Sequence, residues 1–237
     1  MKTCIILGDR SDIAIGIRPI LEADGWNVIG WNRYTQKRTD ANWPRGGMMD
    51  YPEWDLAICT IGSVAPVGHW ADNNSDEWDE SVRINCLLPI RLVRTLWLRK
   101  KHKPGASICF LAGANPNRAG PNYSGYYTGK MALLKAIETI DAETPEAKFF
   151  ALAPGIVFTK IHNPTMESGI VNAGLEARRK VGGTPIPRIY ECLKWCVDAP
   201  KASVGGRNIC VSDGWDRDDS TKFLASNPSI FKLRRGE

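Results

Sequence analysis

The chain has 237 residues, of which 43% are hydrophobic and 24% are charged, so it is long and apolar enough to bury one complete core. Its formal net charge is +5, but no dense basic stripe is interleaved with aromatic residues, and we do not expect nucleic acid as a partner. No apolar run approaches the roughly 18 residues of a membrane helix. The apolar start MKTCIILG is interrupted by GDRSD before a secretory signal could form. These features predict a cytoplasmic protein without a membrane span.

The seven cysteines and three histidines do not form a recognisable metal-binding pattern. Four cysteines lie inside apolar, strand-like runs, where a thiol behaves as a small hydrophobic group. Cys192 and Cys196 are one helical turn apart, but the sequence contains no CxxC pair and no HExxH motif. We therefore predict no metal site.

Strand-like and helix-like segments alternate along the chain. The apolar runs are TCIILG (3–8), NVIGW (27–31), LAICTIG (56–62), SICFLAG (107–113), KFFALAP (148–154) and NICVSDG (208–214). Helical spacing of apolar residues occupies about 12–24, 78–100, 126–143 and 187–198. This alternation predicts a single α/β domain over residues 1–237, with a doubly wound, mostly parallel sheet. The Gly- and Pro-containing region 160–185 is expected to be irregular and mobile.

The first strand ends in LGDRSDIA, where a glycine precedes a helix. Gly8 would let the backbone approach a pyrophosphate, whose charge the free N–H groups of the helix N-terminus would stabilise. The full G-x-G-x-x-G pattern is absent, because Asp12 and Ala14 stand where further glycines would be expected. An ordinary strand, turn and helix with Ser11 or Asp12 as N-cap would look the same.

The second strand ends in Asn32-Arg33, a position that meets the adenosine ribose in dinucleotide-binding folds. An acid there would bind the 2′-OH of NAD, whereas an arginine without that acid suits the 2′-phosphate of NADP. The pair therefore favours NADP, with Arg10 as a second phosphate contact and NAD as the alternative. Asp50 is a candidate for binding the adenine amino group. Arg33 could equally be a solvated loop charge, and Asp50 a turn cap.

The segment YYTGK places Tyr126 and Lys130 four residues apart, on one face of a predicted helix. A lysine so placed lowers the pKa of the phenol, which can then pass a proton to a carbonyl oxygen as hydride arrives. The spacing alone occurs often by chance, so a purely structural role for both residues stays open.

Taken together, these motifs resemble the short-chain dehydrogenase/reductase family in its compact branch. The resemblance runs from Cys4 to about Gly214. Its elements occur in the family's order: the glycine turn, Asn32-Arg33, Asp50, TIG (60–62), Asn85, Tyr126 and Lys130, PGIVFT (154–159) and GRNICVSDG. The resemblance implies a Rossmann sheet of about seven strands, assembled as homodimers or homotetramers.

The resemblance also implies a role for each matching residue. Tyr126 would be the proton donor or acceptor, Lys130 its pKa-lowering partner, and Asn85 the holder of a helix kink and of a water that relays protons. The cofactor would be bound by Gly8, Arg10, Ser11, Asp12, Ile13, Asn32, Arg33, Asp50, Gly62, Tyr126, Lys130, Pro154, Gly155, Ile156 and Thr159.

One member of the family's catalytic group is missing. The serine expected thirteen positions before the tyrosine is Gly113, and losing one such donor typically costs about 10²–10³ in rate. Asn115, in the same loop, could supply a donor instead. A lid over about 160–185 carries His162 and several basic residues. These residues would favour an anionic substrate or form a solvated helix face. The tail, about 215–237, would line the pocket or reach a neighbouring subunit.

The sequence thus predicts an NAD(P)-dependent oxidoreductase that interconverts a small-molecule carbonyl and a secondary alcohol. The main alternative is a catalytically impaired NAD(P)-binding protein with a regulatory or structural role, because of Gly113. Epimerase or dehydratase chemistry on nucleotide sugars is a third possibility, although it usually occurs in a longer chain.

Overall fold

Six parallel strands form one sheet in the computed structural model, which describes residues 1–32, 51–113, 118–170 and 172–234. Each of the six predicted apolar runs overlaps a strand. The strands are β1 Lys2–Leu7, β2 Trp26–Trp31, β3 Trp54–Cys59, β4 His102–Leu111, β5 Lys148–Ala153 and β6 Asn208–Cys210. Their order across the sheet is β2-β1-β3-β4-β5-β6. The candidate residues Arg33, Asp50 and Asn115 lie outside the described residues.

Helices lie in each of the four connections that the structure describes in full or nearly so, those after β1, β3, β4 and β5, and they confirm the predicted α/β class. They are α1 Asp12–Ala23, α2 Ser75–Val82, a π-helical turn Arg83–Leu87, α3 Leu88–Trp97, α4 Ser124–Glu143, a 3-10 turn Lys160–His162, α5 Asn163–Glu167, α6 Ala173–Val181, α7 Ile186–Asp198, α8 Lys201–Val204 and α9 Ser220–Ser226. Within the described ranges, none of these helices has the length and apolar character needed to cross a bilayer.

Except for the edge strand β2, whose residues are mostly half-buried, the apolar runs form strands that are largely buried on both faces, and two cores result. On β1, Cys4 and Ile6 join a core with α1 and α7, whereas Ile5 and Leu7 face a second core with α3 and α4. All four side chains are fully buried. Burying an isoleucine or leucine contributes about 2 kcal/mol, which explains why continuous apolar runs, rather than alternating ones, mark these strands.

The order of the strands determines where a ligand site can form. The chain goes from β1 outward to β2 and then returns to the other side of β1 to form β3, so the connections diverge beyond the carboxyl ends of β1 and β3. In open α/β sheets this point leaves a crevice at the carboxyl edge, the edge where all the strands end. The motif residues following β1, β3, β4 and β5 all lie at this edge.

Candidate active site

The backbone of the turn after β1 packs closely against the residues that follow β3. Gly8 has φ +92°, and a Cβ at this position would lie 2.8 Å from both Thr60 Oγ1 and Ile61 Cγ1. Thr60 Oγ1 donates a hydrogen bond to Gly8 O at 2.7 Å, so the residues after β3 hold the turn in place. Ser11 is the N-cap of α1, with its hydroxyl accepting from Ala14 N at 3.1 Å. The side chain of Ile13 packs against the core, so only its backbone N–H is available to a ligand.

An acidic residue occupies the first position of α1, and a distant lysine is bound to it. Asp12 Oδ2 accepts from Lys160 N at 2.7 Å, and Lys160 Nζ lies 3.1 Å from Asp12 Oδ1. Lys160 Nζ also donates to Arg10 O at 2.7 Å. Burial would raise the pKa of the Asp12 carboxyl, but the hydrogen bonds from Lys160 lower it overall. Sequence reasoning missed Lys160, because its two partners are about 150 residues away.

At the end of β2, an acid from a different turn stands beside Asn32. Asn32 Nδ2 donates to Asp9 Oδ1 at 2.6 Å, and Asp9 Oδ2 lies 3.5 Å from Arg18 Nη2. A Cβ at Gly30 would collide with the side-chain ends of both Asp9 and Arg18, so a larger residue there would displace this cluster. Asp9 was not among the predicted site residues. Its carboxylate lies where an acid capable of binding the 2′-OH of NAD would be expected.

Asn85 lies in a π-helical turn between α2 and α3, which gives the expected break in the helix. Its side chain is fully buried. Nδ2 donates to Ser63 O at 2.7 Å and Ser81 O at 2.9 Å, while Oδ1 accepts from Ser63 N at 3.2 Å. A π-turn carries one extra residue and often occurs at functional sites. Here it directs an amide toward the loop after β3; the proposed water relay stays a prediction.

Lys130 is almost completely buried on α4, with only 4% of its surface exposed. Its Nζ donates to Leu111 O, at the end of β4, at 2.8 Å. A Cβ at Gly62 would lie 3.2 Å from Lys130 Nζ and 3.1 Å from Asn85 Oδ1, so a glycine keeps this space open. Burial lowers the pKa of Lys130 to about 8, opposed by the nearby thiols of Cys59 and Cys86. The structure therefore brings Gly62, Asn85 and Lys130 together.

Tyr126 lies one turn before Lys130 on α4, and its hydroxyl faces Gly113. A Cβ at Gly113 would lie 3.2 Å from Tyr126 Oη. Burial raises the pKa of Tyr126 to about 12, with a further contribution from Tyr127. The shift is upward, and Lys130 is not among its causes. The predicted lowering of the phenol pKa by Lys130 therefore stays a prediction. A side chain at Gly113 would thus lie directly beside the tyrosine hydroxyl, and the assignment of Gly113 to the place of the family's serine stays a prediction.

The segment after β5 forms the opposite wall of the crevice. Pro154 is buried, and Gly155 has φ +76° with its missing Cβ 2.7 Å from Thr184 Oγ1. Ile156 O accepts from Thr184 N at 2.8 Å, which fixes the segment against the lid. Thr159 precedes the 3-10 turn that contains His162.

The lid that follows is held by Tyr123, the residue immediately before α4. Tyr123 Oη donates to Thr165 Oγ1 at 3.2 Å and accepts from Asn172 Nδ2 at 3.1 Å. The lid therefore contacts the chain three residues before Tyr126, at the N-cap of α4. His162 is half-buried within the lid, and burial lowers its pKa. Whether His162 contacts a substrate stays a prediction.

Comparison with known proteins supports the same architecture. No protein-family model matches the chain, and no curated protein matches it in sequence. Among solved structures, a short chain dehydrogenase family protein from Francisella tularensis is 16% identical, with a TM-score of 0.71 over 91% of this chain and 99% of that one. A short-chain dehydrogenase/reductase from Saccharomyces cerevisiae is 16% identical, with a TM-score of 0.70 over 98% and 100%.

A short chain dehydrogenase from Shigella flexneri, complexed with NADP, is 14% identical, with a TM-score of 0.72 over 90% of this chain and 97% of that one. Sequence identity is low in all three cases, so the likeness lies in the backbone. The resemblance inferred from the ordered motifs is therefore confirmed at the level of the fold, and the chain has the Rossmann fold seen in short-chain dehydrogenases/reductases.

Proposed function

We propose that this protein is an NAD(P)-dependent oxidoreductase that interconverts a carbonyl and a secondary alcohol, with NADP(H) as the favoured cofactor. One observation carries the proposal: Tyr126 and Lys130 stand on one face of α4 at the carboxyl edge, and Lys130 is buried next to Gly62 and Asn85. Solved structures of the same fold include a polyketide ketoreductase with NADPH and 4-hydroxyisoleucine dehydrogenase with NADH.

The residues of the crevice fit a dinucleotide. The turn at Gly8 has no room for a Cβ, and the backbone amides that begin α1 lie beside it. Gly62 keeps open the space in front of the Lys130 ammonium, which has N–H groups to donate beyond its bond to Leu111 O. The nicotinamide ring, when bound, supplies or accepts the hydride.

The protein's own part in the reaction is proton transfer. Tyr126 Oη would donate its proton to the carbonyl oxygen during reduction and take it back during oxidation. At its raised pKa the phenol is protonated at neutral pH, which suits the direction of carbonyl reduction. Lys130, when protonated, would stabilise the phenolate left after the transfer, because the two side chains lie on the same helix face.

Calorimetric titration of the purified protein with NADPH and, separately, with NADH tests the proposal without any assumption about substrate. Tight binding of NADPH with weaker NADH binding is the expected result. A panel of small carbonyl compounds, followed by NADPH absorbance, then tests turnover. Failure to bind either dinucleotide would contradict the proposed function.

Gly113 favours a second candidate, a cofactor-binding protein without redox turnover. No hydroxyl can reach the substrate oxygen from this position, although a side chain would lie directly beside Tyr126 Oη. Gly113→Ser distinguishes the candidates, with Gly113→Ala as a control for added bulk. A wild-type protein that binds NADPH but reduces no carbonyl, together with an active serine variant, would support the second candidate.

A further inference from the structure

A lysine from the segment after β5 is bound across the crevice to the start of α1. β5 lies three strand spacings from β1 in the sheet, about 14 Å at roughly 4.8 Å per strand. Residues 154–160 therefore pass over the ends of β4 and β3 before Lys160 reaches the β1–α1 turn. Lys160 contacts Asp12 through both its backbone N–H and its ammonium group, so the connection fixes the segment as well as the side chain.

The partner of Lys160 is an unusual residue for a phosphate-binding helix end. The N-terminus of a helix attracts anions, because its first N–H groups are unpaired and its dipole is positive there. Asp12 already supplies a negative charge at this end of α1. A bound diphosphate would bring further negative charge to the same place, so Asp12 and the diphosphate would repel each other unless a cation lies between them.

Lys160 is that cation, and its contacts can be exchanged. Its side chain is 61% exposed and that of Asp12 is 34% exposed. Exposed ion pairs add little net stability, so giving up this one costs little. The bond from Lys160 Nζ to Arg10 O keeps the ammonium beside the turn even if its contact with Asp12 is lost.

We propose that Asp12 and Lys160 form an electrostatic latch on the cofactor crevice. The Lys160 ammonium leaves the Asp12 carboxylate to bind the diphosphate of an entering dinucleotide, while Asp12 opposes that diphosphate and sets its affinity. This inference rests on the proposed function, since it concerns the cofactor of that site. Lys160 is then a cofactor-binding residue, and Asp12 limits how tightly the cofactor is held.

The test measures dissociation constants of NADPH and NADH for four variants at low and high salt. Asp12→Asn should tighten both dinucleotides about tenfold, because a unit charge near the diphosphate is removed. Lys160→Met should weaken both about tenfold, and Lys160→Arg should restore affinity to near the wild-type value. In Asp12→Asn/Lys160→Met the two effects should not add, because the residues act on each other. All differences should shrink at high salt.

The other end of α1 provides matched controls. Asp24 accepts from Lys194 Nζ at 2.6 Å, in an exposed pair of the same type at the amino end of the sheet. Asp24→Asn and Lys194→Met should therefore leave dinucleotide affinity unchanged. If they shift it as much as the latch variants do, the effect is one of overall charge and the latch is wrong.

The outcomes separate the latch from the proposed function. If the wild-type protein binds neither dinucleotide, both the latch and the proposed function are wrong. If it binds and Asp12→Asn fails to tighten binding, only the latch falls. If Asp12→Asn does not fold, Lys160→Met still tests the latch, because an exposed side chain can be replaced without loss of the fold. Unchanged dinucleotide affinity in Lys160→Met would overturn the proposal.

Discussion

The cations at the two edges of the sheet differ in how many hydrogen-bond partners they have. At the amino edge, Lys201 Nζ donates to four oxygens at the end of α4, including Asp141 Oδ1 at 2.8 Å. Arg207, 1% exposed, donates to four backbone carbonyls around α8, α9 and the C-terminal segment. At the carboxyl edge, Lys130 has one hydrogen bond, to Leu111 O, within the described residues.

This difference separates cations that support the fold from one available to a ligand. Carbonyl groups at helix C-terminal ends are left unpaired by the helix itself, and Lys201 and Arg207 satisfy them. Lys130 is buried almost as deeply as Arg207 and more deeply than Lys201, whose side chain is 32% exposed, but it lacks such a set of partners, so its burial is not compensated. A buried cation with unused donors is a cost to stability that is typical of a functional position.

The largest expected effect concerns the tyrosine beside Lys130. Tyr126→Phe removes the only group proposed to exchange a proton with the substrate, so kcat should fall about 10³-fold. Affinity for NADPH should stay nearly unchanged, because the ring is kept. Tyr127→Phe is the matched control, since Tyr127 packs edge-on against Tyr126 with ring centroids 5.7 Å apart. Steady-state kinetics and titration measure both quantities; a variant that keeps most of its rate would exclude the assigned role.

At the amino edge, Lys201→Met should cost about 3 kcal/mol in the free energy of unfolding. The change leaves the buried Asp141 carboxylate without its cation and three carbonyls without a donor. Urea denaturation at pH 7 measures the loss, and affinity for NADPH should not change. A loss below 1 kcal/mol would show that the end of α4 does not depend on this lysine.

Lys130→Met should instead raise the free energy of unfolding at neutral pH. Burial lowers the pKa of Lys130 from 10.5 to about 8, so below pH 8 the folded state holds a buried charge that the unfolded state exposes to water. The difference corresponds to about 3 kcal/mol. The wild type regains this stability as pH rises from 8 to 10.5, because the folded state releases its proton first.

Lys130→Met should therefore be more stable than the wild type at pH 7, by up to about 3 kcal/mol less the lost bond to Leu111 O. The advantage should disappear near pH 10.5. Urea denaturation at both pH values checks this, and turnover should be lost throughout. If the variant is less stable than the wild type at pH 7, Lys130 supports the fold as Lys201 and Arg207 do, and the proposed difference between the two edges is wrong.

The sequence predicted the fold and the local spacing of the site, but not its long-range contacts. Continuous apolar runs located the six strands that the described residues form, where the resemblance implied about seven, and the four-residue spacing put Tyr126 and Lys130 on one helix face. The contact of Lys160 with Asp12 depends on how the segment after β5 crosses the sheet, which no local pattern encodes. The approach of Asp9 to Asn32 likewise depends on the pairing of β1 with β2, so the acid near the cofactor's ribose could not be read from the end of β2 alone.

At the carboxyl edge, Asp9 and Arg33 favour different cofactors. Its carboxylate favours a ribose 2′-OH, but Asn32 and Arg18 already bind it, at 2.6 and 3.5 Å respectively. Arg33, outside the described residues, would attract a 2′-phosphate. We expect Arg33→Ala to weaken NADPH about tenfold and NADH hardly at all, because only NADPH carries the group that this arginine would contact.

Titration of both dinucleotides measures the ratio, with Arg99→Ala as the control for an exposed arginine distant from the crevice. The ratio of NADPH to NADH affinity also distinguishes the role of Arg33 from that of Lys160. Substitution of Lys160 should weaken both cofactors alike, since both contain the diphosphate. Equal losses for NADPH and NADH on Arg33→Ala would exclude the 2′-phosphate contact. Asp9 would then be the main determinant at the ribose, and the protein would favour NAD.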